Sequence, residues 1–336
     1  MRAHLRPVLA GLLLTALATV AGWGQGTAPA VAATDGFRGV NWADERDNFV
    51  DGALVLGGLS TSDSYDTTRA KTDRIVTGLQ DNLGANTVRM PVNYATVSGS
   101  YWNSYTGAVD EATARGMKVI LSYWEGDSSR DGKVDDLSQF WSMWRTVADK
   151  YAGNANVYFE PMNEPHGYSD DDWKDLAAQW LDTYPTVPRG RVIVSGAGYN
   201  QRLITIGDDS RFDGTLLSRH IYQFFDTGRH TEASWRQALS DSIGKYADRS
   251  LVTEWGAPMT DGRNYGAPAD NSDDFVAFVR GVAAESRDLG IGTVYWPGIR
   301  PNDAYRMETL NGSGTDLSLT TTSTSGRDQL RHSWGL

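Results

Sequence analysis

The 336-residue sequence contains no cysteine. Without disulfides, a chain of this size must hold together by core packing, and about 300 residues can bury a core large enough to do so. Basic charge is also scarce: 31 Lys and Arg stand against 42 Asp and Glu, giving a formal net charge of −11 and a pI of about 4.9. No basic stripe occurs anywhere. That argues against a nucleic-acid binder, whose affinity rests on a positive face neutralising phosphates. Histidine is limited to 5 residues with no His-x-His pair, the arrangement a metal-dependent barrel hydrolase needs. No Gly-rich phosphate loop follows the first apolar run, and no run reaches the roughly 18 to 20 residues that span a bilayer.

The first 33 residues read as a secretory signal. Arg2 and Arg6 precede an apolar stretch from Val8 to about Val20, and small residues then lead to a cleavage site near Ala32 or Ala33. The expectation is an exported protein, free of the membrane once the signal is removed, with residues 34–336 forming one catalytic domain that works as a monomer.

Short apolar runs recur beyond the signal, beginning near Gly39, Thr87, Lys118, Asn156, Arg191, Leu217, Leu251 and Thr293. Segments such as Val119-Ile120-Leu121 and Val192-Ile193-Val194 lack in-out alternation, as expected of parallel strands covered on both faces. Helical patterns lie between them. Leu137, Trp141, Trp144, Val147 and Tyr151 share one helical stripe with Gly153 placed as its C-cap, and Asp171 and Asp172 open another helix at its positive end. Strands alternating with helices in this way predict an α/β fold, a single (β/α)8 TIM barrel. The stretch from Asn311 to Gly326, rich in Gly, Ser and Thr, has a linker's composition, and a closing helix is expected around Arg327-Asp328-Gln329-Leu330.

In such a barrel the site forms at the carboxyl ends of the strands. Polar or aromatic residues ending the apolar runs are Asn41, Arg89, Asn163, Glu164, His220, Tyr222, Glu254 and Trp296. Two of these are carboxylates, Glu164 at the fourth run and Glu254 at the seventh, on loops that face each other across a closed barrel. A pair of carboxylates across a pocket is the minimal machinery for cleaving a glycosidic bond, one protonating the leaving oxygen and the other attacking the anomeric carbon. Glu160 is a rival to Glu164 but falls inside the strand, where it suits structural hydrogen bonds below the pocket floor. His166 is open between positioning its neighbours and capping the next helix.

The stretches VYFEPMNEPHG (157–167), SRHIYQF (218–224), LVTEWGA (251–257) and TVRMPVN (87–93) resemble the strand-end motifs of glycoside hydrolase family 5, which includes cellulases and β-mannanases. The resemblance implies a retaining enzyme that needs no cofactor and acts on a carbohydrate. It gives Glu164 as acid/base, Glu254 as nucleophile and Asn163 as a ligand of the sugar hydroxyl beside the anomeric carbon. Arg89, His220 and Tyr222 support the nucleophile, and Trp296 floors the sugar. An endo-β-glucanase is favoured; a β-mannanase, an exo-acting enzyme on oligosaccharides or glycoconjugates, and an inactive carbohydrate-binding barrel are the alternatives. Cationic Arg89 and the Tyr222 hydroxyl should depress the Glu254 pKa, while Glu164 facing that charge should be raised.

One departure from the family pattern stands at the end of the third run, where Trp124 replaces the usual histidine. It can stack on a sugar ring or pack the loop. Tryptophan outnumbers phenylalanine, 12 to 9, and indole faces fit pyranose C–H faces; Trp42, Trp124, Trp255 and Trp296 are the strand-end candidates for a cleft. Asp127, Ser129, Asp131, Gly132 and Asp135 fall near the spacing of a calcium loop, but Ser138 stands where the bidentate Glu belongs. A solvated loop without metal is the expectation there.

Overall fold

The computed structural model describes residues 34–268 and 273–336; the secretory-signal reading of residues 1–33 lies outside the described residues. The apolar runs form eight strands: β1 (Arg38–Trp42), β2 (Thr87–Val92), β3 (Lys118–Tyr123), β4 (Val157–Glu160), β5 (Ile193–Ser195), β6 (Leu216–His220), β7 (Ser250–Glu254) and β8 (Gly292–Ile299). They pair in the order β4-β3-β2-β1-β8-β7-β6-β5, and a parallel bridge from Phe159 to Val192 joins the two ends. This is the (β/α)8 barrel that the alternation of runs predicted. No helix among the described residues is long and apolar enough to cross a membrane.

The expected helices form with small shifts at their ends. Leu137–Tyr151 starts where the Asp136 side chain accepts Gln139 N–H, and its C-cap is Ala152, one residue before the expected Gly153. Asp170–Thr183 carries three acids in its first turn behind the Ser169 cap, where their charge suits the helix dipole. Leu137–Tyr151 buries Phe140, Met143, Trp144, Val147, Ala148 and Tyr151, while Leu137, expected in this stripe, is exposed; Asp170–Thr183 buries Trp173, Ala177, Trp180 and Leu181.

Inside the barrel the period of two sorts side chains into layers. Ile120, Tyr158, Ile193, Leu216 and Leu251 form an apolar plug with Phe37 and Val294. Two residues further along the same strands stand Ser122, Glu160, Ser195, Ser218 and Thr253, all buried. This polar layer lies between the plug and the mouth, and it anchors the side chains of the site.

The Gly/Ser/Thr-rich stretch is not a linker. It belongs to an antiparallel hairpin, β9 (Glu308–Ser313) with β10 (Asp316–Thr321). Asn82, in helix Tyr65–Leu83, donates to Glu308 Oε2 at 2.8 Å and to the Leu319 carbonyl at 3.2 Å. Leu319 lies against the surface left bare by Gly78 of that helix. Thr and Ser fit a pleated surface with one face wet, so a composition typical of linkers here encodes a strand pair. The closing helix is Thr324–Ser333.

Candidate active site

Arg89 is the hub of the polar layer. Its Nε donates to Glu160 Oε2 at 2.5 Å, Nη1 to Glu254 Oε1 at 2.5 Å and Asn41 Oδ1 at 2.9 Å, and Nη2 to Asn163 Oδ1 at 2.8 Å and Ser122 Oγ at 3.2 Å. A guanidinium has five N–H groups, and here each has an acceptor. A cation buried this deeply survives only with such pairing. Glu160 therefore does the structural work expected of it, and its removal would strand Arg89.

Glu254 closes β7, and its Oε2 accepts the Tyr222 hydroxyl at 3.0 Å. Gly256 follows closely, where any Cβ would collide with the Trp296 carbonyl; only glycine lets the chain pass β8 at this point.

The structure moves Glu164 off the strand. β4 ends at Glu160, and Glu164 sits in the following turn with φ +46°, a conformation that non-glycine residues adopt rarely and at a cost. Its backbone N–H is accepted by Asn200 Oδ1 at 3.0 Å. Its carboxyl Oε1 lies 2.9 Å from His220 Nδ1, whose Nε2 is 3.0 Å from Thr253 Oγ1. His220 was expected to support the nucleophile; it stands 3.6 Å from Glu254 Oε2 and hydrogen-bonds Glu164 instead. Burial and the nearby Arg89 and Arg219 push the imidazole well below its ordinary pKa, so it is neutral and can exchange a single proton with Glu164.

One oxygen of each of Glu164 and Glu254 and a nitrogen of His220 lie within 4.8 Å of one another. Burial, with the Glu254 charge adding to it, drives the Glu164 carboxyl well above the usual carboxylate range. Burial also raises Glu254, to about 7, against the opposing pull of Arg89 and the Tyr222 hydroxyl. The expected depression of Glu254 is thus corrected, because desolvation outweighs the cation. The order of the two groups is as expected: Glu254 ionises first and Glu164 keeps its proton.

These groups open into a cavity of about 350 Å³ lined by Asn163, Glu164, Tyr222, Glu254, Trp124 and Trp296, among others. The remaining lining residues form two contrasting walls. Loops after β1, β3 and β8 supply Asp47, Phe49, Arg130, Arg300, Asp303 and Tyr305, where Arg300 bridges Asp47 at 2.8 Å and Asp303 at 2.6 Å. Loops after β5 and β6 supply Tyr199, Phe224 and Phe225.

The four tryptophan candidates divide. Trp296 is partly exposed in the cavity. Trp124 also lines it but is only 2% exposed: its ring stacks on Trp296 at 6.0 Å and sits 4.7 Å from the Arg89 guanidinium. Trp124 is therefore a wall that steadies Arg89 and Trp296, with little face left for a sugar. Trp42 and Trp255 are corrections. Both are fully buried in the core, and Trp42 Nε1 donates to the Gly57 carbonyl at 2.9 Å. Alternation sends them outward, because Asn41 and Glu254, one residue earlier, point in.

Sequence reasoning missed Asn200, the aromatic pair Phe224-Phe225 and the Asp47–Arg300 bridge. The apolar doublet in a strand-end loop was a usable signal for the pair. Asn200 offered no comparable signal, since its role depends on a turn packed against the next strand. His166 stacks on Tyr199 at 4.1 Å, and the next helix is capped by Ser169 rather than His166.

Among the described residues, Glu164, His220 and Glu254 are the group whose donors lie close enough to share an ion. These donors already hold one another and their neighbours: the Glu254 oxygens accept from Arg89 and Tyr222, and His220 bonds at both ring nitrogens, so an ion here would displace the His220 contacts. In 127–136, Asp135 accepts Gly126 N–H at 2.9 Å, Asp131 accepts Lys133 N–H at 3.0 Å, and Asp136 caps a helix. These carboxylates serve the loop's own turns.

Comparison with known proteins fits this geometry. An endoglucanase of Microbulbifer sp. is 24% identical over 238 residues, covering 66% of this chain and 41% of that protein. An endoglucanase of Clostridium saccharobutylicum is 24% identical over 213 residues, covering 60% and 45%. The chain thus spans under half the length of these relatives. The endocellulase of Pyrococcus horikoshii, solved in complex with cellotetraose, shares the fold at TM-score 0.63 with 13% identity, covering 89% of this chain and 92% of that one. Residues 47–298 match the model of the cellulase family, glycosyl hydrolase family 5, so the chain belongs to this family of glycoside hydrolases.

Proposed function

We propose that the protein is an exported endo-β-glucanase that cleaves β-glycosidic bonds by double displacement with retention, residues 34–336 forming its catalytic domain. The observation that carries this reading is the opposition of Glu164 and Glu254 within 4.8 Å. A gap that small suits direct attack by a carboxylate and leaves no room for the water an inverting enzyme needs.

Glu254 is the nucleophile: Arg89 and Tyr222 hold both its oxygens and favour its ionised form. Glu164, kept protonated by burial and by the charge opposite, protonates the leaving oxygen and then serves as base for the incoming water. His220 orients the Glu164 carboxyl. Asn163, fixed by Arg89, meets the hydroxyl beside the anomeric carbon, and Trp296 floors the sugar. The glucan preference is supported by the relatives, which are named endoglucanases.

A hydrolysis panel of β-glucans, mannan, xylan and aryl glycosides, with product sizing over time, tests the reading. Early appearance of mid-length β-glucan fragments is expected. Faster turnover of mannan, or release of single terminal units only, would replace the substrate assignment.

A further inference from the structure

Arg219 is a cation that no step of the double displacement uses. It lies on β6 between Ser218 and His220, whose side chains face into the barrel, so strand alternation puts it on the outer side. No carboxylate among the described residues pairs with it, and burial alone lowers its pKa, to about 10. Its Nε is buried without an acceptor. Arg191 and Arg249 also lack a carboxylate partner, but each makes three bonds to backbone carbonyls. Arg219 makes two. Taking a cation from water with so few partners costs stability, and features of this kind collect at functional sites.

Both carbonyls belong to residues that hold Glu164. Arg219 Nη1 donates to the His220 carbonyl and, in a longer contact of 3.4 Å, to that of Asn200. His220 Nδ1 meets the Glu164 carboxyl at 2.9 Å, and Asn200 Oδ1 accepts the Glu164 N–H at 3.0 Å. The β6–β7 register slips at this point: Arg219 pairs with Val252 and His220 with Glu254, leaving Thr253 as an extra residue. Such a slip disrupts the ladder and re-aims side chains, here with His220 Nε2 3.0 Å from Thr253 Oγ1. Asn200 has φ +50°, a conformation that persists only when its surroundings hold it. One guanidinium thus braces a slipped strand end against a strained turn. Its charge also joins burial and Arg89 in keeping His220 neutral.

We propose that Arg219 is a positioning residue for proton transfer: by gripping the Asn200 and His220 backbones together, it fixes the two side chains that aim the Glu164 carboxyl. The inference rests on the proposed reading of Glu164 as acid/base. Glu164 stands beyond the end of β4, where no strand ladder sets its direction, so its alignment comes from these two neighbours. Protonating a poor leaving group demands that alignment. A dinitrophenolate departs without a proton and does not.

The test compares Arg219→Met, Arg219→Lys and Glu164→Ala with the wild type in the whole protein. It measures kcat/KM on β-glucan and on dinitrophenyl β-cellobioside, or on mannan and the β-mannobioside if the panel favours mannan, together with Tm by calorimetry. Arg219→Met should lose about tenfold on the polysaccharide and less than about twofold on the dinitrophenyl glycoside. Its Tm should hold or rise, since a cation without a counter-charge has been removed. Arg219→Lys, which keeps the charge and a donor, should recover part of the loss. Equal losses on both substrates, no loss on either, or failure of Arg219→Met to fold would make Arg219 an ordinary structural residue and overturn the inference alone. Glu164→Ala should show the same selectivity more strongly; equal loss on both substrates in that variant would overturn the acid/base reading and this inference with it.

Discussion

Asn200 accepts the backbone N–H of Glu164 at 3.0 Å, and both residues have positive φ, +50° and +46°. Two strained turns from successive βα loops thus lock together to aim Glu164, the proposed acid/base. The amide of Asn200 is itself fixed, donating to Ser218 Oγ at 2.6 Å. Asn200→Ala should therefore lower kcat on β-glucan by about tenfold, because the acid loses its alignment. Dinitrophenyl glycosides, which need no proton, should lose less than about twofold. Equal losses on both substrates would make Asn200 a general structural residue.

The order of the two carboxyls sets the pH response. Under the proposed roles activity requires Glu254 ionised and Glu164 protonated, so the acidic limb of kcat/KM belongs to Glu254, raised by burial to about 7, and the alkaline limb to Glu164. The Tyr222 hydroxyl favours ionised Glu254 by donating to it. Tyr222→Phe removes that donor, so the Glu254 pKa should rise and the acidic limb should move to higher pH. An unmoved limb, or a shift to lower pH, would contradict the assignment.

Azide separates the two glutamates. With Glu254→Ala, turnover should stop and azide should restore it from the vacated face, giving an α-glycosyl azide. With Glu164→Ala, dinitrophenyl substrates should still form the glycosyl–enzyme, and azide should give the β-product. Product analysis by NMR showing the reverse pattern would exchange the roles.

Much of the fold and of the site is legible in the sequence. Runs such as Val119–Leu121 marked strands buried on both faces, and Glu164, Glu254, Arg89 and Tyr222 stood out as polar residues interrupting strand ends. The errors have physical causes. Trp42 and Trp255 stand at strand ends, but strand alternation turns them away from the mouth because their neighbours Asn41 and Glu254 face in. The β9–β10 hairpin was hidden because Leu310, Leu317 and Leu319 are its few apolar residues among Ser, Thr and Gly. The pKa of Glu254 could not be signed from its neighbours alone, since depth of burial is a tertiary property that outweighed Arg89. Asn200 acts through contacts 36 and 18 positions away, and local sequence carries no trace of them.

A buried carboxyl outside the catalytic pair gives a stability test remote from turnover. Glu125 accepts N–H groups from Asp131 at 3.0 Å and Gly132 at 2.8 Å, and burial, with Asp135 and Asp131 nearby, raises it to about 7. Its folded pKa exceeds the unfolded value, so the folded state binds the proton more tightly. The resulting stability is full below about pH 4.3 and is lost as pH rises through about 7. Glu125→Gln stays neutral throughout. Its Tm relative to wild type should therefore increase by about 2 °C or more between about pH 5 and about pH 8. A constant or falling difference in calorimetry would show that the carboxylate is not destabilised by its site.

The most direct measurement is the anomeric configuration of the first-formed product, followed by proton NMR during early hydrolysis, before mutarotation mixes the anomers. Nucleophilic Glu254 within reach of the sugar opposite Glu164 predicts two inversions and hence a β-product. First appearance of the α-anomer would mean that water attacks directly, and would contradict the double displacement.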